Sequence, residues 1–315
     1  MGGSIQVAVL EQGCRPFEWL RSVADEPYPV LLESSLHDTY LGQYSILCWD
    51  PLKKLTCRAD GVEIEDLRRG GRVVLTENPF KVLSAEFDRH RFAAPSGFDL
   101  PFAGGAVGYF SYDLRHRVEK LPRWCSYDLD VPEFIVCFYD RAVIFDHRRD
   151  VTVCVGPARA GHPQTSLGVA PFEHGGCLPE IEGVELKSNF TRDGYPEAVE
   201  RTKEYIAAGD IFQVNLSQRF EGPCPAEGLT VYERLRAINP APFSAYLKYP
   251  EFEIISSSPE RFLLVEGDHV STRPIKGTRP RLEGDEVFNQ RMRAELLGSA
   301  KDHAELAMIV DLERN

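Results

Sequence analysis

The chain has 315 residues, 43% apolar and 27% charged, enough for a large core in one big or two ordinary domains. With 36 basic against 48 acidic residues its net charge is −12, which argues against nucleic acid and means an anionic substrate needs local cations or a bound metal ion. No run is long and apolar enough to cross a membrane, and no basic start precedes the short apolar stretch that Glu11 interrupts, so neither a membrane span nor a secretory leader is expected.

The first half reads as strands. Val30–Leu32, Tyr44–Trp49, Leu55–Arg58, Val62–Ile64 and Val73–Thr76 are short β runs broken by Gly, Asp and Pro. One helix interrupts them: Asn78 caps it, Pro79 suits its first turn, and Phe80, Leu83 and Phe87 form its predicted apolar face. The glycines in 101–113, PFAGGAVGYFSYD, suit a strand that another backbone approaches closely. Phe134–Phe138, Ala142–Phe145 and Val151–Val155 predict an antiparallel meander. Eight scattered cysteines without a CxxC pair, several inside apolar runs, read as buried free thiols in a reducing cytosol, so the expected location is cytoplasmic.

Residues 156–187 are rich in Gly and Pro and lack periodicity, which predicts a linker between 1–155 and 188–315. Asp193–Ala208 then reads as a helix ended by Gly209, and Ile211–Phe220 alternates as a strand with a polar face. A capping box from Thr230 to Glu233 opens a helix that Asn239-Pro240 ends. Strands are predicted at Phe243–Leu247 and Phe252–Ser257, and a final helix over roughly Ala300–Arg314. The predicted fold is α+β, with layered, largely antiparallel sheets in a sandwich, helices outside, and strands from both halves.

Residues 254–281, IISSSPERFLLVEGDHVSTRPIKGTRPR, carry the chemistry. Arg261–Glu266 and Val270–Ile275 flank a Gly267-Asp268 turn and read as a hairpin. A three-residue loop sets Glu260 opposite Lys276, and a two-residue loop sets it opposite Ile275. Taken singly, Lys276 and Glu260 read as solvated charges. Together they are an amine beside a general acid, the pattern of covalent catalysis. Glu305 on the last helix is either a solvated carboxylate or an oxygen ligand for Mg²⁺. His303 and Asp302 lack zinc spacing, and neither a dinucleotide loop nor a P-loop occurs.

At SSSPERFL, RPIKGTRPR and AKDHAELAMIVDLERN the sequence resembles the chorismate-utilising enzymes. These include anthranilate synthase component I, isochorismate and salicylate synthases, and aminodeoxychorismate synthase component I. LLES (31–34), GGAVGYFSYD (104–113), GDIFQVNLSQRF (209–220) and NPAPFSAYL (239–247) extend the likeness over nearly the whole chain. Anthranilate synthases typically carry alanine in the PIxGT motif, whereas Lys276 matches the aminodeoxychorismate branch. That resemblance implies addition of Lys276 at C2 of chorismate, loss of the C4 hydroxyl assisted by Glu260, and attack of ammonia at C4. It further implies Gly277 and Thr278 as substrate contacts, Mg²⁺ at Glu305, and ammonia from a glutamine amidotransferase partner.

Ser34, Leu41, Gly42, Gln43 and Tyr44, with Pro242, Phe243 and Ser244, resemble the family's L-tryptophan pocket. The LLES spelling leans toward the anthranilate branch, and Lys276, which would touch the reaction, outweighs it. In a salicylate or isochorismate synthase the same lysine would activate water. A non-catalytic module that binds tryptophan or the partner is the reading from another class. The family pattern continues beyond DLxRN, so residues 1–315 alone are expected to leave sheet edges uncovered and not to complete the reaction.

Overall fold

The computed structural model describes residues 5–10, 15–36, 41–90, 97–124, 128–157 and 183–314. Most of the linker expected at 156–187 lies outside these. The chain divides into two compact units, Met1–Glu173 with Leu235–Asn315, and His174–Arg234.

In chain order the elements begin with β1 (Ile5–Val9), α1 (Pro16–Ser22), β2 (Val30–Glu33), β3 (Tyr44–Cys48), β4 (Lys53–Arg58), β5 (Gly61–Asp66) and β6 (Arg72–Leu75). Next come α2 (Pro79–Arg89), β7 (Gly105–Phe110), α3 (Arg115–Val118), β8 (Phe134–Tyr139), β9 (Ala142–Asp146) and β10 (Val151–Pro157). The later part holds β11 (Lys187–Ser188), α4 (Gly194–Ala208), β12 (Phe220–Glu221), α5 (Gly228–Ile238), β13 (Phe243–Lys248) and β14 (Glu253–Ser258). It continues with β15 (Arg261–Glu266), β16 (His269–Arg273), α6 (Glu286–Leu297) and α7 (Ala300–Arg314).

The larger unit is the predicted α+β sandwich. Seven antiparallel strands run β1-β10-β9-β3-β2-β13-β14, and five run β6-β5-β4-β8-β7. Their facing sides share one core, in which Ile135, Cys137, Tyr139 and Val107 meet Val30, Cys48, Ile144, Val153 and Leu247. On its other face the five-stranded sheet packs Leu55, Val62, Phe134, Val136 and Phe138 against Val82 and Leu83 of α2. Helix α1 contacts β2 and β3, and Trp19 meets the Phe145 ring edge-on at 6.5 Å. Strands β13 and β14 extend the sheet from β2, so both halves of the sequence build one layer.

Four expectations need correction. The meander over 134–155 is broken, because β8 pairs with β4 and β7 while β9 pairs with β3 and β10. Six consecutive buried residues in β8 need cover on both faces, and a flat three-strand meander supplies too little. Helix α2 buries Pro79, Val82, Leu83 and Glu86 and leaves Phe80 and Phe87 partly exposed. The polar Glu86 belongs inside because Lys53 donates to it at 2.7 Å and Arg89 also pairs with it.

In the smaller unit, 211–219 form no β-ladder and only Phe220–Glu221 pairs, with β11. Alternation marks an extended segment, but a strand also needs a hydrogen-bonding neighbour. Thr230 lies inside α5, which begins at Gly228, so it is not the cap. Helix α4 is as predicted, with Gly209 after its last turn, and Tyr195 Oη donates to the Leu216 carbonyl at 3.3 Å.

The free cysteines include buried Cys48, Cys57 and Cys137, and an exposed Cys224. Burial pushes the Cys57 and Cys137 thiols up to about 12, so they act as core groups.

The glycine reading of β7 is met at Gly108. A Cβ there would lie 2.0 Å from the Ile135 carbonyl oxygen, so β7 and β8 approach only because it is absent. Gly108→Ala is expected to lower the unfolding free energy by about 2 kcal/mol, measured by urea titration. Glu86 is a second test. Its burial would raise its pKa, but hydrogen bonds from Lys53 and Arg89 outweigh this and lower it. A lowered folded value gives stability that is fully present above pH 4.5, the ordinary value, and is lost as pH falls through the folded one. Lys53→Met should therefore cost about 3 kcal/mol at neutral pH. The gap from the parent protein should narrow below pH 4.5.

Candidate active site

Strands β15 and β16 form the expected hairpin around a two-residue turn, with Glu266 opposite His269. The register slips by one between Arg261 and Leu264, so Arg261 faces Arg273. An irregularity of this kind bends a ribbon and re-aims the side chains beyond it. Past it, the Ile275 N–H donates to Glu260 Oε1 at 2.9 Å. Glu260 is held from its own strand too, since its N–H donates to Ser258 Oγ at 3.3 Å and Ser258 Oγ donates to its carbonyl at 3.1 Å. The carboxylate is thereby fixed beside the backbone that leads into Lys276. Lys276 is half-buried, and its amine makes no hydrogen bond or ion pair among the described residues. Glu260 is exposed, and the two side chains are not ion-paired.

Past Lys276 the chain rests on the helices. Gly277 has φ +71°, and a Cβ on it would lie 2.7 Å from Asp302 Cγ and 2.9 Å from Leu296 Cδ1. Five residues earlier, the Thr272 hydroxyl donates to Glu313 Oε2 at 2.6 Å. Helix α7 therefore runs antiparallel to β16 and its extension. Glu305 lies one turn after Asp302 on the half-buried face of α7. The hairpin end thus sets Glu260 beside the backbone before Lys276, and Gly277 rests on α7, the helix that carries Glu305. Thr278 is exposed, and its carbonyl accepts from Arg279 at 2.9 Å.

Among the described residues no three His, Cys, Asp or Glu side chains gather to hold a metal ion. Glu305 can supply one carboxylate, and Mg²⁺ typically takes one or two together with water and substrate oxygens. The arrangement offers an amine, a carboxyl fixed nearby, and a further carboxylate on the neighbouring helix, which suits amine addition assisted by acid–base transfer.

The second predicted cluster also assembles. Ser34, at the end of β2, donates its hydroxyl to the Tyr44 carbonyl at 2.9 Å or the Pro242 carbonyl at 3.0 Å. Ser35 and Ser244 hydroxyls lie 2.9 Å apart, and Gln43 Nε2 donates to Tyr44 Oη at 2.8 Å. Ser34, Gly42 and Ser244 are buried, while Leu41 and Phe243 are half-buried. Sequence reasoning missed the adjoining pair of Arg236 and buried Glu33, 2.8 Å from Nε to Oε2, because the two lie 203 residues apart. It also missed Arg279, which joins Glu295 of α6 to Asp302 of α7.

A sequence profile described as chorismate binding enzyme matches residues 30–315. Aminodeoxychorismate synthase component 1 of Escherichia coli is 36% identical over 292 residues, covering 92% of this chain and 63% of that protein. Anthranilate synthase component 1 of Thermus thermophilus is 38% identical over 257 residues, covering 78% of this chain and 54% of that protein. The chain thus spans less than two thirds of the length of these relatives. The crystal structure of anthranilate synthase component I from Streptococcus pneumoniae superposes with a TM-score of 0.70 at 24% identity, covering 89% of this chain and 62% of that one, which establishes the shared fold.

The contact between Glu260 and Ile275 can be measured directly. Glu260→Ala should speed hydrogen exchange of the Ile275 amide by roughly tenfold or more, since a hydrogen bond to a charged group contributes about 1.5–3 kcal/mol. The Val270 amide, in the hairpin ladder, should exchange as before.

Proposed function

The chain belongs to the chorismate binding enzymes, and we propose that it serves an aminodeoxychorismate synthase, converting chorismate and ammonia to 4-amino-4-deoxychorismate for 4-aminobenzoate and folate synthesis. The observation that carries this reading is Lys276 in the PIKGT segment, one residue after the amide that holds the Glu260 carboxylate. A nucleophile at that place explains how nitrogen reaches C4. The Lys276 amine forms a bond to C2, the C1=C2 and C5=C6 double bonds shift to C1=C6 and C4=C5, and the C4–O bond breaks. Glu260 gives its proton to the departing oxygen, which leaves as water. Ammonia then bonds to C4, both double bonds shift back, and the C2–N bond to Lys276 breaks, returning the amine. Two displacements through a covalent intermediate replace one difficult exchange.

Gly277 and Thr278 are read as contacts for the substrate carboxylates. When bound, Mg²⁺ would supply positive charge to anchor a substrate carboxylate, and Glu305 is proposed as one of its carboxylate ligands. Ammonia is proposed to come from a glutamine amidotransferase subunit, and the location is proposed to be cytoplasmic. L-Tryptophan is proposed to bind where Ser34 meets Pro242. The Ser34 and Ser244 hydroxyls are engaged within the protein, so they would shape that pocket while neighbours bind the ligand.

The second reading is anthranilate synthase component I, favoured by the LLES segment and by the 38% identity to the Thermus protein. Product analysis separates the two. In the full-length enzyme supplied with chorismate, Mg²⁺ and ammonia, 4-amino-4-deoxychorismate should accumulate, and Lys276→Ala should abolish it. Anthranilate as the product, or an unchanged rate in that variant, overturns the assignment.

A further inference from the structure

Arg279 lies three residues after Lys276, and its guanidinium reaches three different places. Nε donates to Glu295 Oε1 on α6 at 2.9 Å, and one Nη donates to Asp302 Oδ2 on α7 at 3.2 Å. The other Nη donates back to the Thr278 carbonyl at 2.9 Å. The link to Asp302 is the better shielded, with side chains 24% and 16% exposed, whereas Glu295 is 57% exposed. Shielding makes the Asp302 link the stronger of the two, since ion pairs in open water contribute little.

Asp302 is also the acid against which Gly277 packs. One carboxylate therefore seats the residue after Lys276 and receives the guanidinium that follows it. A hydrogen bond with the Ser299 side chain, and then Arg279, hold the Asp302 carboxyl below the ordinary range, so it meets Arg279 as an anion. Gly277 and Arg279, the first and third residues after Lys276, thus both meet Asp302 at the start of α7, the helix that also carries Glu305. The backbone next to the amine is held by these contacts, and neither Arg279 nor Asp302 need touch a substrate.

We propose that Arg279 is a positioning residue for Lys276: clamping α6, α7 and the Thr278 carbonyl together, it sets where the amine is presented relative to Glu260 and Glu305. This rests on reading Lys276 as the reacting amine. Lysine cannot replace the arginine, because one ammonium cannot reproduce three separately directed N–H contacts.

The test uses the full-length enzyme with ammonia as nitrogen source, comparing R279K and D302N with the parent and with K276A. R279K is expected to lower kcat by roughly 10- to 100-fold, the cost of a small misplacement of a reacting group. KM for chorismate should stay within about threefold, because ground-state binding is untouched. D302N should shift kcat in the same direction by less, since its amide oxygen still accepts a hydrogen bond. A second readout is independent of turnover. The rate at which an amine-reactive ester acylates Lys276, followed by mass spectrometry against exposed Lys203, should change severalfold in R279K.

Unchanged kcat with unchanged Lys276 acylation would overturn the proposal, as would a loss of kcat that merely tracks the folded fraction. If R279K does not fold, the acylation and kcat of D302N decide. Product formation by K276A at the parent rate would instead remove the catalytic reading of Lys276, while the acylation ratio would still report whether Arg279 places that amine.

Discussion

Strand β8 is buried on both faces, and the layering of the larger unit follows from that constraint. Phe134, Val136 and Phe138 face α2, while Ile135, Cys137 and Tyr139 face the seven-stranded sheet. A strand with no polar face needs a packed layer on each side. Its neighbours are adapted accordingly. Gly108 lets β7 approach, and Cys57 and Leu55 of β4 fill one core. The chain leaves β8 at Asp140-Arg141 and enters the other sheet. Arg68 bonds Asp140 and Asp50 at this corner, and Tyr139 Oη donates to the Tyr28 carbonyl at 2.9 Å. The charges of the turn are thereby paired where the backbone changes layer.

Features decided by near neighbours are legible in the sequence. The Asn78 cap, the Gly209 stop and the span of α7 follow from contacts within a few residues. The failures share one physical cause, which is that the deciding partner is distant in sequence. Periodicity could not reveal that β8 and β9 belong to different sheets, because both are simply apolar. The buried face of α2 is hidden from the sequence because Glu86 counts as polar until Lys53, 33 residues earlier, meets it. The alternation of 211–219 describes extended backbone and says nothing of a neighbouring strand.

The candidate site divides along the same line. Glu260 and Lys276 could be placed at one hairpin end from turn length alone, and the structure adds the amide hydrogen bond and the register slip that aim the carboxylate. The seat of Gly277 on Asp302 and the reach of Arg279 to α6 and α7 were illegible, because nothing in the spacing of RPIKGTRPR foretells which helix lies beneath it. Chemistry-bearing residues were thus visible as a pattern, whereas those that orient them emerge only once the elements are packed.

The pairing of β2 with β13 carries a consequence for how the molecule is made. Leu31 of β2 finds its partner at Tyr246, so one side of β2 has no ladder neighbour until the ribosome has added more than two hundred further residues. At translation speeds of about 5–20 residues per second, that is a wait of roughly 10–40 s with a hydrophobic strand open on one flank. Chain elongation, more than any intrinsic barrier, then sets when the seven-stranded layer can close, and a nascent-chain chaperone would find its natural client surface there.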